Sequence, residues 1–305
     1  MPKQPYAKPA LTIADLVALL QTRGMAIQDH QRVSHYLKFI GYYRLSGYFR
    51  FFRDIAANPQ RENFRAGTTF QMALDLYVFD RKMRALLLDA LERIEIAVKS
   101  EISNTGALQG NGDVFWLNDP ANFDHGQHGI ISKMLQDRLD HSQPNIFHQF
   151  ISHFFNTYTD STAPSWMAME AFSFGDASNI YKRMKGALRL PIAASFSVQH
   201  DILESWLHAL AFARNICAHH ARTWNRTFTI KPKIPKAYQG VWPSVAQDRL
   251  YVLCCIIHYM MRVVSDGSLW HEQLRALVAS RPNVSLSSMG FPEEWESQTL
   301  WNFGP

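Results

Sequence analysis

The sequence predicts an all-α fold. Apolar residues recur at three- and four-residue intervals through the long segments, the stretch from Phe70 to Ser103 holds neither Gly nor Pro, and no segment alternates apolar and polar residues like a half-buried strand. At 305 residues and 47% hydrophobic content, the chain can bury one large core or two modest ones. Its 20 Phe, 11 Tyr and 8 Trp suit such a core or a stacking surface, and a net charge of +5 tolerates a polyanionic partner without naming one. Cys217, Cys254 and Cys255 are too few and too clustered for a disulfide framework, which points to a reducing, cytoplasmic setting. The N-terminus lacks the apolar run of a signal peptide, and no window reaches ~18 uncharged apolar residues, so no membrane partner is expected.

Thr12 is placed to cap a first helix that Gly24 ends, and a second helix runs from about Asp29 to Ile40, together a helical hairpin. Gly41 opens GYYRLSGYFRFFRD, where Tyr42, Tyr43, Tyr48, Phe49, Phe51 and Phe52 are interleaved with Arg44, Arg50 and Arg53. An aromatic wedge with solvated arginines fits this composition, and so does stacking on RNA. Gly67-Thr68-Thr69 starts a long scaffold helix that the glycines at 106, 110 and 112 are expected to end.

Two shorter helices, one from Ile130 and one from Asn145, precede the polar loop TDSTAPS. Glu170 then stands among Trp166, Met167, Met169 and Phe172, and if buried it needs a partner, ordinarily a salt bridge. Asp176 is expected to cap a basic helix bearing Lys182, Arg183 and Lys185, a pattern that usually marks a solvated face. Residues 231–243 read as a proline-broken basic loop, 245–264 as a buried closing helix, and the segment from Arg281 as peripheral. The expected organisation is an N-terminal helical and aromatic/arginine-rich extension over 1–60, a helical domain over 61–280 and a tail over 281–305.

The most informative segment is LESWLHALAFARNICAHHARTWNR, Leu203 to Arg226. Leu203, Trp206, Leu207, Leu210, Ala213 and Cys217 form one buried helical stripe. On a continuous helix, His208, Asn215, His219 and Arg222 fall within roughly 60° of one another, whereas Arg214 lies about 140° from His219. There is no Gly-rich phosphate loop, no His-Glu-x-x-His and no Cys-x-x-Cys, so neither a nucleotide cofactor nor a metal is expected. A metal held by His208, Cys217, His219 and His220 matches no common spacing, and Cys217 lies on the apolar stripe, a poor place for a nucleophile.

Arg214-Asn215 followed by His219 resembles the Arg-x4-to-6-His signature of HEPN-domain ribonucleases. The blocks YLKFIGYYRLSGYFRFFR, TTFQMALDLYVFDRKMRALLLDALERIEIAVKSEI, SWMAMEAFSFG and ARNICAHHARTWNR, in that order, resemble the Abi-like abortive-infection family of the AbiD/AbiF type, over roughly Leu11 to Arg226. The resemblance implies a HEPN-like helical bundle with an N-terminal hairpin extension, and a homodimer in which two motifs face one cleft. It implies a metal-independent endoribonuclease of phage defence, with Arg214 and His219 catalytic and Asn215 and Glu170 fixing them. His220, Arg222, Trp224, Asn225 and Arg226 then contact RNA, together with Tyr43, Arg44, Arg50, Arg53, Lys182 and Arg183.

The residue types suit that chemistry. Metal-free RNA cleavage needs a base for the 2′-hydroxyl, a charge for the phosphorane and an acid for the leaving oxygen, roles that histidine and arginine can fill. Two other readings stay open: a non-catalytic RNA-binding protein acting with a structured small non-coding RNA, and a protein-interaction module with an aromatic groove.

Overall fold

The computed structural model describes residues 5, 7, 9–54, 62–110, 112–139, 149–235, 242, 246–282 and 285–302. Among these the secondary structure is helical, and β pairing is confined to three isolated bridges. The chain divides into two compact units, residues 1–83 with 277–284, and residues 84–276 with 285–305.

The first unit opens with α1 (Ile13–Thr22), whose cap Thr12 closes a reciprocal capping box with Asp15. Gly24, at φ +88°, turns the chain toward Asp29, which caps α2 (His30–Phe39). The two helices pack together and bury Val17, Leu20, Val33 and Leu37. After Gly41, at φ +89°, α3 (Tyr42–Phe49) divides the aromatic run by face. Tyr48, Phe49 and Phe52 are buried, whereas Tyr43 is 93% exposed. The Tyr48 hydroxyl donates to Oδ2 of the fully buried Asp80 at 2.6 Å.

The scaffold helix α4 (Phe70–Gln109) passes through Gly106 instead of ending there. The glycine has a packing role: a Cβ at this position would lie 2.1 Å from the Trp116 indole, which is fully buried against it. Helices α5 (His128–Leu139), α6 (Gln149–Thr157) and α7 (Ser165–Ala171) follow. The start expected for α6 at Asn145 lies outside the described residues. Ser173, not Asp176, caps α8 (Phe174–Arg183); Asp176 is the third helical residue and returns the bond as the acidic half of a capping box.

Helix α9 (Gly186–Ser195) leads into α10 (His200–Ala218), the centre of the second unit, which packs on α8, α9 and α11 (Leu250–Val264). Leu203, Trp206, Leu207, Leu210, Ala213 and Cys217 are buried as their spacing predicts, and each large apolar side chain so buried contributes roughly 1.5–3 kcal/mol. Tyr181 of α8 donates to the carbonyls of Arg189 and His200, fixing the start of α10; burial pushes its hydroxyl pKa well up, so it remains a donor. In α11 every residue from Leu250 to His258 is buried, with Cys254 and Cys255 thiols whose pKa values burial drives upward.

Helix α12 (Trp270–Ala279) is pinned where Trp270 Nε1 donates to the Leu86 carbonyl at 2.9 Å. The closing segment, expected to be peripheral, instead buries Met289, Phe291, Trp295, Leu300 and Trp301 and ends in α13 (Thr299–Asn302). Its composition explains the difference, because Phe291 packs tilted against Tyr251 of α11, Trp301 stacks on the same ring, and Trp301 Nε1 donates to the Tyr251 hydroxyl at 2.8 Å. No described helix is long and apolar enough to cross a membrane.

Candidate functional site

Helix α10 stops at Ala218 and not at Arg222. The stop is a Schellman motif: Ala221 N–H donates to the Ile216 carbonyl and His220 N–H to the Cys217 carbonyl, both at 3.0 Å. His219 is the C-cap, and His220 takes the left-handed conformation at φ +56°, where glycine is usual and histidine is among the better tolerated alternatives. The helical azimuth that aligned Arg222 with Asn215 and His219 therefore does not apply. The chain turns and buries Thr223 and Trp224, and Asn225 adopts a second left-handed conformation at φ +48°.

Arg214, just before the last turn of α10, is half-buried, and its Nε lies 3.4 Å from Glu95 Oε2 of α4. Glu95 is itself buried and takes Lys99 Nζ on Oε1 at 3.2 Å, so one carboxylate is held between two cations. Arg214 Nη1 reaches the Asn215 side-chain oxygen at 3.4 Å, which leaves Nη2 without a protein partner among the described residues. His219 is exposed, and its imidazole has no side-chain partner among the described residues. The site thus presents a guanidinium anchored from behind and an imidazole open to solvent at the end of one helix.

The other expected residues are distributed as follows. Glu170 is exposed on α7, so it needs no ion pair; the carboxylate that meets Arg214 is Glu95. His220 and Asn225 are exposed, and Arg249 Nη1 donates to the Asn225 side chain at 3.4 Å. Arg222 and Arg226 are half-buried, and Arg226 Nη1 donates to the Arg222 carbonyl at 3.3 Å. Trp224 is fully buried and offers no face to a base.

Lys182 and Asn215 come together on the wall of a groove of about 410 Å³ between α8 and α10, with His208 beside them. Lys182 stands 4.0 Å from Glu204, and Arg183 Nη1 donates to the Asn179 carbonyl and side chain. In the other unit, Tyr43, Arg44 and Arg50 are exposed, whereas Arg53 is 3.7 Å from Glu62.

The residues that spacing along α10 does not reveal are Glu95 and Lys99. Their signal is a Glu and Lys four residues apart beside the apolar stripe of α4, a pattern that ordinarily marks a solvated pair. Among the described residues, no group of three or more His, Cys, Asp or Glu is placed to hold a metal ion.

A sequence-family model described as Abi-like protein matches residues 35–225, more than half of the chain. The chain belongs to the Abi-like family. The match to the Abi-like chain begins at His35, within α2, later than the resemblance expected from Leu11, and ends one residue before Arg226. It takes in Glu95, Lys99, Arg214 and His219. Nothing among curated proteins or solved structures matches the chain.

Proposed function

We propose that the Abi-like chain is a metal-independent endoribonuclease of phage defence, acting in the cytoplasm as a homodimer whose two Arg214–His219 motifs share one cleft in a HEPN-type bundle. The observation that carries this reading is the anchored pair of functions at the end of α10. Arg214 is held by a buried carboxylate with a terminal nitrogen left over, and an unengaged imidazole stands five residues on. In the proposed reaction, His219 takes the proton of a 2′-hydroxyl as that oxygen attacks the adjacent phosphorus. The 5′-oxygen leaves and is protonated by the His219 of the second motif, giving a 2′,3′-cyclic phosphate and a 5′-hydroxyl end. Arg214 stabilises the phosphorane oxygens through Nη2.

Glu95 acts as a positioning residue. An unanchored arginine would spend side-chain entropy on every encounter, and a carboxylate on Nε turns the fork outward before substrate arrives. Family membership supports the abortive-infection role. The test is cleavage of labelled RNA in EDTA, with the product ends identified and the particle mass measured by light scattering. Cyclic phosphate ends from a dimer support the reading, and 3′-hydroxyl ends or a strict requirement for magnesium contradict it. A second reading, an RNA-binding protein acting with a structured small RNA, draws on the exposed arginines and aromatics of the first unit.

A further inference from the structure

One run of the sequence between two aspartates is basic without an acidic residue inside it. The chain has 31 Lys and Arg against 26 Asp and Glu, and residues 30–53 contain Arg32, Lys38, Arg44, Arg50 and Arg53 with no acidic residue at all. Asp29, the cap of α2, and Asp54 bound this run, so residues 29–54 carry +3 of the formal +5. Arg32, Lys38 and Arg44 are exposed, and Arg53 lies 3.7 Å from Glu62.

The same segment exposes aromatic rings that the core does not use. Phe39, the last residue of α2, is 69% exposed and Tyr43, in the first turn of α3, is 93% exposed; they flank the Gly41 turn. Arg32 lies 5.6 Å from the centre of the Tyr36 ring and Lys38 lies 5.3 Å from that of Phe39, while His35 and Phe39 have ring centres 4.8 Å apart. A cation beside an exposed ring, Lys38 at Phe39, another beside the half-buried Tyr36, and the exposed Tyr43 next to Arg44 are the elements of a surface for unpaired nucleic acid. Rings stack on bases, ammonium and guanidinium groups track phosphates, and sequence preference stays low. A protein partner of matching chemistry would need an acidic face, and a second copy of this surface would repel it.

We propose that the α2–α3 surface binds unpaired RNA, stacking bases on Phe39 and Tyr43 and holding phosphates with Arg32, Lys38 and Arg44. This rests on the reading that RNA is the substrate and deepens it: the first unit captures single-stranded segments, and chemistry takes place at the α10 end. The helix residues Arg32, Lys38 and Phe39 belong to the surface as much as the Tyr43–Arg44 pair that composition alone suggests.

The test uses the full chain carrying His219→Ala, which prevents turnover, and a fluorescein-labelled single-stranded polyadenosine oligonucleotide, alone or paired with polyuridine. Phe39→Ala/Tyr43→Ala is expected to weaken single-strand binding about tenfold or more while the salt dependence stays the same. Arg32→Gln/Lys38→Gln should lower the slope of log affinity against log salt by about 0.7 per cation removed. The duplex should bind less tightly than the single strand. Unchanged single-strand affinity in Phe39→Ala/Tyr43→Ala overturns the proposal, as does loss of the dimer in light scattering with RNA affinity intact, which assigns the surface to a second copy. Cleavage by the chain with native His219 is scored separately: binding through α2–α3 without any cleavage sinks only the nuclease reading, and cleavage with an inert α2–α3 surface sinks only this proposal.

Discussion

Arg214 Nε stands 3.4 Å from Glu95 Oε2, a contact between α10 and α4 that joins residues more than a hundred positions apart in sequence. Glu95 also binds Lys99, so its charge is shared, and the carboxylate is buried while the arginine remains half-buried. The asymmetry has a mechanical meaning. The buried carboxylate holds Nε, Asn215 takes Nη1, and Nη2 is the terminal nitrogen left without a protein partner among the described residues.

Replacing Glu95 by Gln should therefore slow cleavage nearly as much as Arg214→Ala, and the double variant should be no slower than Arg214→Ala alone, because the two act as a unit. Stability should fall by about 1–3 kcal/mol, since Lys99 and Arg214 lose a charged acceptor. Single-turnover cleavage and thermal melts of the three variants check this. Additive losses in rate would mean that Glu95 acts elsewhere.

The left-handed His220 gives a second expectation. Glycine at φ +56° carries no Cβ strain, so His220→Gly should melt well above His220→Val, which should be destabilised by about 1–2 kcal/mol more. If the imidazole also contacts RNA, affinity falls in His220→Gly. Parallel melts and RNA titrations separate the two roles.

Much of the fold is legible in the sequence because its signals are local. Thr12, Asp29 and the α10 stripe act through neighbours three or four residues away, and periodicity reads such neighbours directly. Three features escape it for physical reasons. Gly106 looks like a helix end because only the remote Trp116 shows why a glycine is needed inside α4. Tyr251 holds the closing segment, so that segment looks peripheral until the partner is seen. At the candidate site, Arg214, Asn215 and His219 stand out by spacing, whereas Glu95 resembles any solvated i,i+4 pair until tertiary structure buries it against α10. The azimuth that brought in Arg222 assumes a helix that the Schellman motif ends four residues earlier.

Gly106→Ala should be among the most damaging single-methyl additions in the chain. The new Cβ would meet the Trp116 ring at 2.1 Å, and the indole is fully buried, so destabilisation of about 1–3 kcal/mol or more is expected. Adding Trp116→Leu should relieve the clash but cost packing, so the double variant should be less unstable than the sum of the two singles. Chemical denaturation of the four proteins completes the cycle.

His258 supplies a pH dependence. Burial, with the positive charges of His271 and Arg262, lowers its pKa from 6.5 to about 4, and its ring stacks on Trp301 at 4.6 Å. The unfolded chain takes up the proton first, so this contribution is intact above the unfolded pKa. It is lost as pH falls from about 6.5 to about 4, up to roughly 3 kcal/mol in all. Melting temperatures of the parent should fall through that window more steeply than those of His258→Phe, which keeps the stack and cannot be protonated. Identical pH profiles would remove the histidine from the account.

The central claim is that His219 performs acid–base chemistry on RNA beside an anchored Arg214. The most direct measurement is cleavage of an end-labelled RNA in EDTA by the full chain and by His219→Ala, with melting temperature and RNA affinity recorded for both. The expected result is a loss of about 10²–10⁴-fold in rate for His219→Ala, with unchanged melting and binding. Cleavage by His219→Ala at the parental rate would contradict the account.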